Sequence, residues 1–322
     1  MSYKTYEPKP LFLERMKSLL QDKQDFDSYL EILKREPPRS FRCNTLKIPV
    51  EDLKKRLEEK GWKIKQPYKD FPEIMIVVSK LQPGELGRAL EHLLGYYYIQ
   101  EIASMLPVLV LNPKENERVL DLCASPGSKT TQIAARMNNK GLLIANEVKF
   151  GRIKILSANT ERCGVMNMLI TKRDGIALCK RFKEEDFLVD KILLDVPCSG
   201  EGTFRSVPKG LEMWNIKTIE NLSKLQKALI ASAIEILKPS GELVYSTCTH
   251  APEENEEVID FALKNFNVKI EKINLPIKTR QGITSWKNEE YSKEVKLSCR
   301  IYPQDNDTEG FFIAKIKKVK ER

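Results

Sequence analysis

Arg118-Val119-Leu120-Asp121-Leu122-Cys123-Ala124-Ser125-Pro126-Gly127-Ser128-Lys129 reads as a buried strand, a short loop and the first turn of a helix. Gly127 lets backbone approach a bound group closely. The N–H groups that open the next helix favour an anion or a carboxylate. The loop carries one glycine, so it matches neither the dinucleotide fingerprint nor the P-loop. A second strand, Leu142-Leu143-Ile144-Ala145-Asn146-Glu147, ends in an acid, at the position that typically grips ribose hydroxyls. The plain alternative for Glu147 is a helix-capping or solvated carboxylate. After a third strand, Thr171-Lys172-Arg173-Asp174-Gly175 supplies another acid, where a turn is the ordinary reading. Together these residues describe a nucleoside groove, with the loop for a charged end, Glu147 for a ribose and Asp174 near a base.

Outward from this stretch, strand and helix patterns alternate over 117–121, 129–137, 141–147, 150–161, 166–170, 190–195, 217–237, 241–246, 253–264 and 310–317. That alternation predicts an α/β fold with a doubly wound parallel sheet. Asn112-Pro113-Lys114 marks the expected boundary between a module over 1–112 and a domain over 113–322. In the first part, residues 11–35 read mostly as helix and Pro37-Pro38 stops the pattern. Strand patterns at 40–46, 62–64 and 74–78 enclose a helix over 49–60 that Gly61 ends. This is a small α+β module. Residues 95–111 form one apolar stretch.

Two more strands end in thiols. Lys191-Ile192-Leu193-Leu194 leads into Asp195-Val196-Pro197-Cys198-Ser199-Gly200, and Gly241-Glu242-Leu243-Val244 leads into Tyr245-Ser246-Thr247-Cys248-Thr249. In open α/β sheets the carboxyl ends of the strands carry ligands and chemistry. Three strand ends, a glycine loop and two thiols on one edge point to an enzyme. The chain has 7 cysteines and 2 histidines, and no C-x-x-C pair. No metal site is therefore expected. Cys163, Cys179 and Cys299 read as small buried hydrophobes.

Of the 322 residues, 41% are apolar, which suffices for a sizeable core. No run of about 18 apolar residues suggests a membrane span. Residues 1–8 lack the apolar stretch of a secretory signal, so a cytoplasmic, reduced setting is expected. The formal charge is +9 and is spread along the chain: 19 Lys+Arg face 16 Asp+Glu in residues 1–112, and 35 face 29 in the remainder. A basic surface of this kind attracts polyanions.

The runs Leu120 to Thr131, Asp195 to Thr203 and Tyr245 to Thr249 resemble the RNA 5-methylcytosine methyltransferases of the Sun/nucleolar-protein family, and in particular its archaeal tRNA type. Arg42-Cys43-Asn44-Thr45-Leu46 and Thr308-Glu309-Gly310-Phe311-Phe312-Ile313-Ala314 extend the resemblance from about residue 35 to 317. It implies a Rossmann-like sheet with an antiparallel last strand, preceded by an RNA-recognition-like module, and S-adenosylmethionine as methyl donor. By resemblance Cys123, Ala124, Ser125, Pro126, Gly127, Ser128 and Lys129 line the methionine end of the cofactor. Glu147 holds the ribose, Asp174 the adenine, and Arg152 and Asp195 also lie on the cofactor side.

Carbon 5 of cytosine is a poor nucleophile, and a thiolate added to carbon 6 activates it. The family assigns this attack to the Thr-Cys thiol, here Cys248, and product release to the Pro-Cys thiol, here Cys198. Asp195 is placed to hydrogen-bond the N3/N4 edge of the ring, with electrostatic help from Lys129. DNA cytosine-5 methyltransferases use the Pro-Cys thiol as nucleophile instead, and the presence of Thr247-Cys248 favours the RNA type. The target base must be unstacked to reach such a site. Phe204 to Lys209 and Trp214 are candidate RNA contacts, with an ordinary surface loop as the alternative.

The 1–112 module lacks the aromatic signature of a stacking RNA-recognition motif. No appended RNA-binding domain is expected after Phe312, a compact form common among archaeal tRNA enzymes of the family. That favours tRNA as partner over ribosomal RNA, with a monomer and no membrane expected. Arg300 to Asp307 lacks the histidine that relatives commonly carry near the proline. A non-catalytic RNA-binding factor and a Rossmann oxidoreductase are the competing classes. Retention of both thiols with Asp195 and Lys129 opposes the first, and the missing Gly-x-Gly-x-x-Gly opposes the second.

Overall fold

The computed structural model describes residues 6–320; residues 1–5 and 321–322, and with them most of the stretch read for a signal, lie outside the described residues. The described chain gathers into two compact units. One holds residues 38–195 and 232–244, the other residues up to 37, 196–231 and 245–319. Among the described residues, no helix is long and apolar enough to cross a membrane.

The first unit contains two sheets. β1 (Arg39–Cys43), β2 (Ile64–Lys65), β3 (Ile74–Val77) and β4 (Tyr97–Ile99) form an antiparallel sheet in the order β2-β3-β1-β4. Helix Val50–Glu58 buries Leu53 and Leu57, four apart on one face, and leaves its charged residues outside. Phe41, Trp62, Met75 and Tyr97 complete that core. Each such side chain stabilises by about 1.5–3 kcal/mol through burial. Gly61, at φ +86°, lets the chain turn into β2.

β5 (Arg118–Asp121), β6 (Leu142–Asn146), β7 (Met168–Thr171), β8 (Val189–Asp195) and β9 (Leu237–Thr247) form the second sheet in the order β9-β8-β5-β6-β7. β5 runs parallel to β6 and β8, and β6 parallel to β7, with Leu120 opposite Ile144 and Ile192. Parallel pairing sends Asp121, Asn146, Thr171 and Asp195 out at one edge. Helices Ser128–Arg136, Phe150–Arg162 and Gly175–Glu184 return the chain between strands. The last of these was not expected; Asp174 caps it by accepting from the Ile176 and Ala177 N–H groups.

Two buried polar side chains lock the two sheets of this unit together. Arg42 of β1 donates to Thr131 Oγ1 at 2.9 Å and to the Ser128 carbonyl at 3.2 Å, at the start of the helix after β5. Asn44 donates to the carbonyls of Gly95 and Cys163, both at 2.8 Å. The apolar stretch at 95–111 divides into β4 and helix Ile102–Leu111, which Glu101 caps. Lys191 in β8 reaches the far end of that helix and donates to the carbonyls of Leu111 and Asn112 at 3.0 and 2.8 Å. A cation at a helix C-terminus satisfies carbonyls that the helix itself leaves unpaired.

In the second unit, the stretch read mostly as helix over 11–35 forms two helices, Pro10–Leu20 and Lys23–Ile32, because Gln21 adopts φ +60° and Asp22 caps the second. Phe12, Met16, Leu20 and Tyr29 pack with Phe204, Leu211, Trp214, Ile219 and Tyr302. The sequence reading placed Phe204 and Trp214 among candidate RNA contacts, but both are buried in this core. β10 (Val268–Glu271), β11 (Arg280–Gln281), β12 (Ser285–Trp286), β13 (Glu289–Glu290), β14 (Cys299–Ile301) and β15 (Phe311–Lys318) supply its strands. β14 pairs antiparallel with β11 and β15, and β10 pairs antiparallel with β15. β15, the last strand, is thus antiparallel to both of these neighbours.

Arg300 of β14 and Glu256 are both buried and bonded through two nitrogens, and a third Arg300 nitrogen donates to the His250 carbonyl at 2.9 Å. His250, just past Cys248, stacks on Tyr302 with centroids 4.9 Å apart. Burial and the charges of Arg300 and Arg280 hold it neutral, down to about 3. Removing one partner of a buried pair leaves an uncompensated charge, at a cost of roughly 3–5 kcal/mol. Glu256→Gln is therefore expected to lower the thermal unfolding midpoint by many degrees. A variant that melts with the unsubstituted protein would show that this pair contributes nothing.

Candidate active site

The loop after β5 and the ends of β5 and β8 surround a cavity of about 250 Å³, lined by Ser104, Asp121, Cys123, Ala124, Ser125, Pro126, Ser128, Lys129 and Asp195. Gly127 caps the following helix at φ +102°, where a Cβ would also press on Leu156 at 3.1 Å. The Ser125–Pro126 bond is cis. Lys129 is buried; its ammonium pairs with Asp195 Oδ2 at 2.8 Å and donates to Ser104 Oγ at 2.9 Å.

Asp121 is 1% exposed, and Thr130 Oγ1 donates to its Oδ2 at 2.7 Å. Its Oδ1 is buried with no partner within the protein. Burial, together with the nearby charge of Asp195, pushes this carboxyl up to about 7 against the pull of Thr130 and Lys129. An orphaned acceptor on the wall of a cavity suits a ligand that brings a donor, such as the ammonium group of an amino acid. Burial pushes the Cys123 thiol up as well, so it stays protonated.

Glu147 is buried at the end of β6. It accepts from the Lys149 N–H at 2.9 Å and pairs with Arg152 at 3.2 Å. Arg152 in turn donates to the Ser125 carbonyl at 2.6 Å, while Ser125 Oγ donates to the Arg152 carbonyl at 3.0 Å. The loop, Glu147 and Arg152 therefore form one connected wall. Asp174 is exposed, stands outside the cavity lining and is engaged as a helix cap.

The second cluster belongs to the other unit. Cys198 lies three residues along the chain from Asp195, and Cys248 follows β9 directly. Their sulfurs are 3.2 Å apart, and the Cys248 N–H donates to Cys198 Sγ at 3.3 Å. Both thiols are free and partly exposed. A disulfide would bring the sulfurs to about 2.05 Å, so this is a hydrogen-bonded pair. That hydrogen bond, reinforced by burial and by like charge on Cys248 and Glu254, pushes Cys198 well up.

Carboxylates flank the pair. Ser199 Oγ and Thr249 Oγ1, the residues after each thiol, meet at 2.7 Å, and Thr249 Oγ1 donates to Glu201 at 3.1 Å. Trp214 Nε1 donates to the other Glu201 oxygen at 2.7 Å. Glu254 is fully buried and accepts from the Ser199 N–H at 3.0 Å and from Gln226 at 2.8 Å. Burial, with Glu201 nearby, pushes Glu254 up to about 7 although Ser199 and Gln226 pull it down.

The structure thus joins the sequence-predicted residues Cys123 to Lys129, Glu147, Arg152 and Asp195 into one wall, and Cys198 and Cys248 into one pair. Ser104, Asp121, Glu201, Gln226 and Glu254 were not anticipated as site residues. Asp121 carried the one readable signal, an acid ending a buried strand. Ser104 lies in the apolar helix Ile102–Leu111, and Glu201, Gln226 and Glu254 come from helices and turns whose pattern does not mark them.

The family model described as 16S rRNA methyltransferase RsmB/F matches residues 108–317, and that described as the N-terminal domain of 16S rRNA methyltransferase RsmF matches residues 9–102. The tRNA (cytosine(49)-C(5))-methyltransferase of Pyrococcus abyssi is 44% identical over 94% of this chain and 94% of its own length. The ribosomal RNA small subunit methyltransferase F of Vibrio parahaemolyticus is 40% identical over 95% of this chain, which spans 62% of that protein. Among solved structures, a methyltransferase homologue from Pyrococcus horikoshii superposes with a TM-score of 0.83 at 36% identity, covering 97% of this chain and 95% of that one. NSun6 from the same organism, solved with SFG, an S-adenosylmethionine analogue, superposes at 0.80 and 27% identity, covering 97% and 99%.

The raised Asp121 carboxyl makes a signed prediction. The folded protein keeps a proton that the unfolded chain releases between 3.8 and about 7, so the site loses stability as pH rises through that window. Asp121→Asn keeps the shape and removes the titration. Thermal midpoints of both proteins at roughly pH 5 and pH 8 should show the variant gaining on the unsubstituted protein at the higher pH. Parallel behaviour at the two values would refute the assignment.

Proposed function

We propose a reaction course for a chain that belongs to the RsmB/F family of S-adenosylmethionine-dependent RNA cytosine-5 methyltransferases. The observation that carries it is the pair of unbonded thiols 3.2 Å apart, in Pro-Cys and Thr-Cys settings. Cys248 is the nucleophile and Cys198 the releasing base. The cofactor-side wall is Cys123, Ala124, Ser125, Pro126, Gly127, Ser128, Lys129, Glu147, Arg152 and Asp195, with Asp174 at the adenine end. The orphaned Oδ1 of Asp121 supports placing the amino-acid end of the cofactor in the cavity. Bound there, S-adenosylmethionine supplies an electrophilic methyl group on a sulfonium.

The Cys248 thiolate bonds to carbon 6 of the cytosine, and the ring's 5,6 π pair moves to carbon 5. Carbon 5 would then take up the methyl group that the cofactor, held by Cys123 to Lys129 and Glu147, would supply. Asp195, fixed by Lys129, holds the N3/N4 edge of the ring, and the Lys129 ammonium offsets the negative charge that builds there. Once Cys248 is bonded to carbon, it no longer shares a proton with Cys198 and carries no negative charge beside it. Both are causes that raise Cys198. Cys198 can then lose its proton to water and take the one on carbon 5. The electrons of that C–H bond restore the ring double bond and expel Cys248 as thiolate.

The substrate is tRNA, on the strength of the end-to-end match to the archaeal tRNA enzyme; the match to the ribosomal RNA enzyme covers less of that protein. The chain acts in the cytoplasm as a monomer without a membrane partner. Its module at 1–112 holds RNA beside a catalytic domain at 113–322, a division supported by family matches over 9–102 and 108–317.

With tritiated methyl donor, Cys248→Ala should lose methyl transfer altogether. Cys198→Ala should transfer one methyl and remain attached to its RNA, visible as a shifted band on a denaturing gel. Normal turnover by Cys198→Ala would sink the assignment of roles. Bisulfite sequencing of RNA from cells with and without the gene should show loss at a tRNA cytosine; loss confined to 16S rRNA would favour the other substrate.

A further inference from the structure

The geometry points to Glu254, acting with Gln226, as the positioning residue that holds the Cys198 thiol for release of product. The inference rests on Cys198 being the releasing thiol. Its basis is the hydrogen bonding on either side of that residue. Gln226, from helix Ile216–Glu235, spends both amide protons there. One goes to the Pro197 carbonyl at 2.9 Å, immediately before Cys198, and the other to Glu254 Oε2 at 2.8 Å. The Glu254 carboxylate accepts from the Ser199 N–H, immediately after Cys198, at 3.0 Å through Oε2 and 3.3 Å through Oε1. The backbone is thus gripped on both sides of the thiol by two side chains that also grip each other.

The clamp is tied to the second thiol segment as well. Tyr245 Oη, three residues before Cys248, donates to the Glu254 carbonyl at 2.6 Å. Glu254 is 0% exposed and Gln226 0% exposed. A buried carboxylate accepting from a backbone N–H is a strong and directional anchor. Neither residue is needed to activate Cys248 or to hold the methyl donor. Their work is confined to where Cys198 Sγ stands when carbon 5 presents its proton.

Loosening such an anchor by about 1 Å costs on the order of 100-fold. Glu254→Ala should therefore transfer its first methyl at close to the unsubstituted single-turnover rate, then slow in steady state by about 100-fold with covalent RNA adduct accumulating. Glu254→Gln, which keeps an acceptor oxygen for the Ser199 N–H, should recover part of that loss. Ser223→Ala removes a bond of 2.6 Å to the Glu253 carbonyl from the same helix, without touching the Cys198 segment, and should behave as unsubstituted.

The RNA is the transcript, tRNA or 16S rRNA, that the unsubstituted enzyme methylates, and Cys198→Ala is run alongside. If Cys198→Ala traps adduct while Glu254→Ala turns over freely, the clamp is wrong and the role of Cys198 stands. If Cys198→Ala turns over freely, the role of Cys198 is wrong and the clamp falls with it. If Glu254→Ala loses the first methyl transfer together with release, Glu254 supports the site as a whole, and its specific link to Cys198 is overturned.

Discussion

Two sulfur atoms held 3.2 Å apart without a bond impose the constraint on which the thiol site depends. They must be close enough to share a proton, and each must stay free to react. Closeness comes from the backbone: the Val196 N–H donates to the Ser246 carbonyl at 3.2 Å, and the Gly202 N–H to the Cys248 carbonyl at 2.9 Å. Gly310 closes the ladder by donating to the Gly202 carbonyl at 2.8 Å. A Cβ on Gly202 would run into Gly310 and stand 2.9 Å from the Cys248 carbonyl. The two glycines therefore set how tightly the thiol segments are drawn together.

Electrostatics divides the chemistry between the two clusters. In the cavity after β5 a cation is built in: Lys129 is buried against Asp195, next to a second carboxyl at Asp121 that lacks a full set of donors. Around the thiols the buried charges are carboxylates, Glu201 and Glu254, and both are raised by burial. The hydrogen bond to Cys248 and burial, with the charges of Cys248 and Glu254, raise the Cys198 thiol.

Much of this was readable because parallel strands convert sequence position into spatial position. Asp121, Glu147 and Asp195 each end an apolar run, and a parallel sheet delivers such ends to one edge, so their assembly could be anticipated before any coordinates. The thiols were legible for the same reason, each directly following a run of buried residues. What escaped notice came from segments whose period carries no such information. Gln226 lies within the 20-residue helix Ile216–Glu235, where nothing in the pattern sets one glutamine apart. Glu254 sits in Pro252-Glu253-Glu254-Asn255, which reads as a helix start and is a short 3-10 turn before helix Glu256–Asn265. β10 to β14 are two to four residues long, below the length at which alternation can be seen. Phe204 and Trp214 looked like exposed aromatics beside basic residues, and only packing against Phe12 shows them to be interior.

Arg205 is 1% exposed and donates to the carbonyls of Arg35, Glu36 and Thr308 and to the Asp307 carboxylate. One side chain from the middle of the chain thus stitches together segments separated by 170 and 103 positions. During synthesis the first helices emerge with an apolar face whose partners have yet to be made, and the Pro-Cys segment waits in the same way. Long-range closure of this kind is slow and leaves sticky surface exposed meanwhile. The interior built around Arg205 can therefore close only after the chain has been read past Thr308.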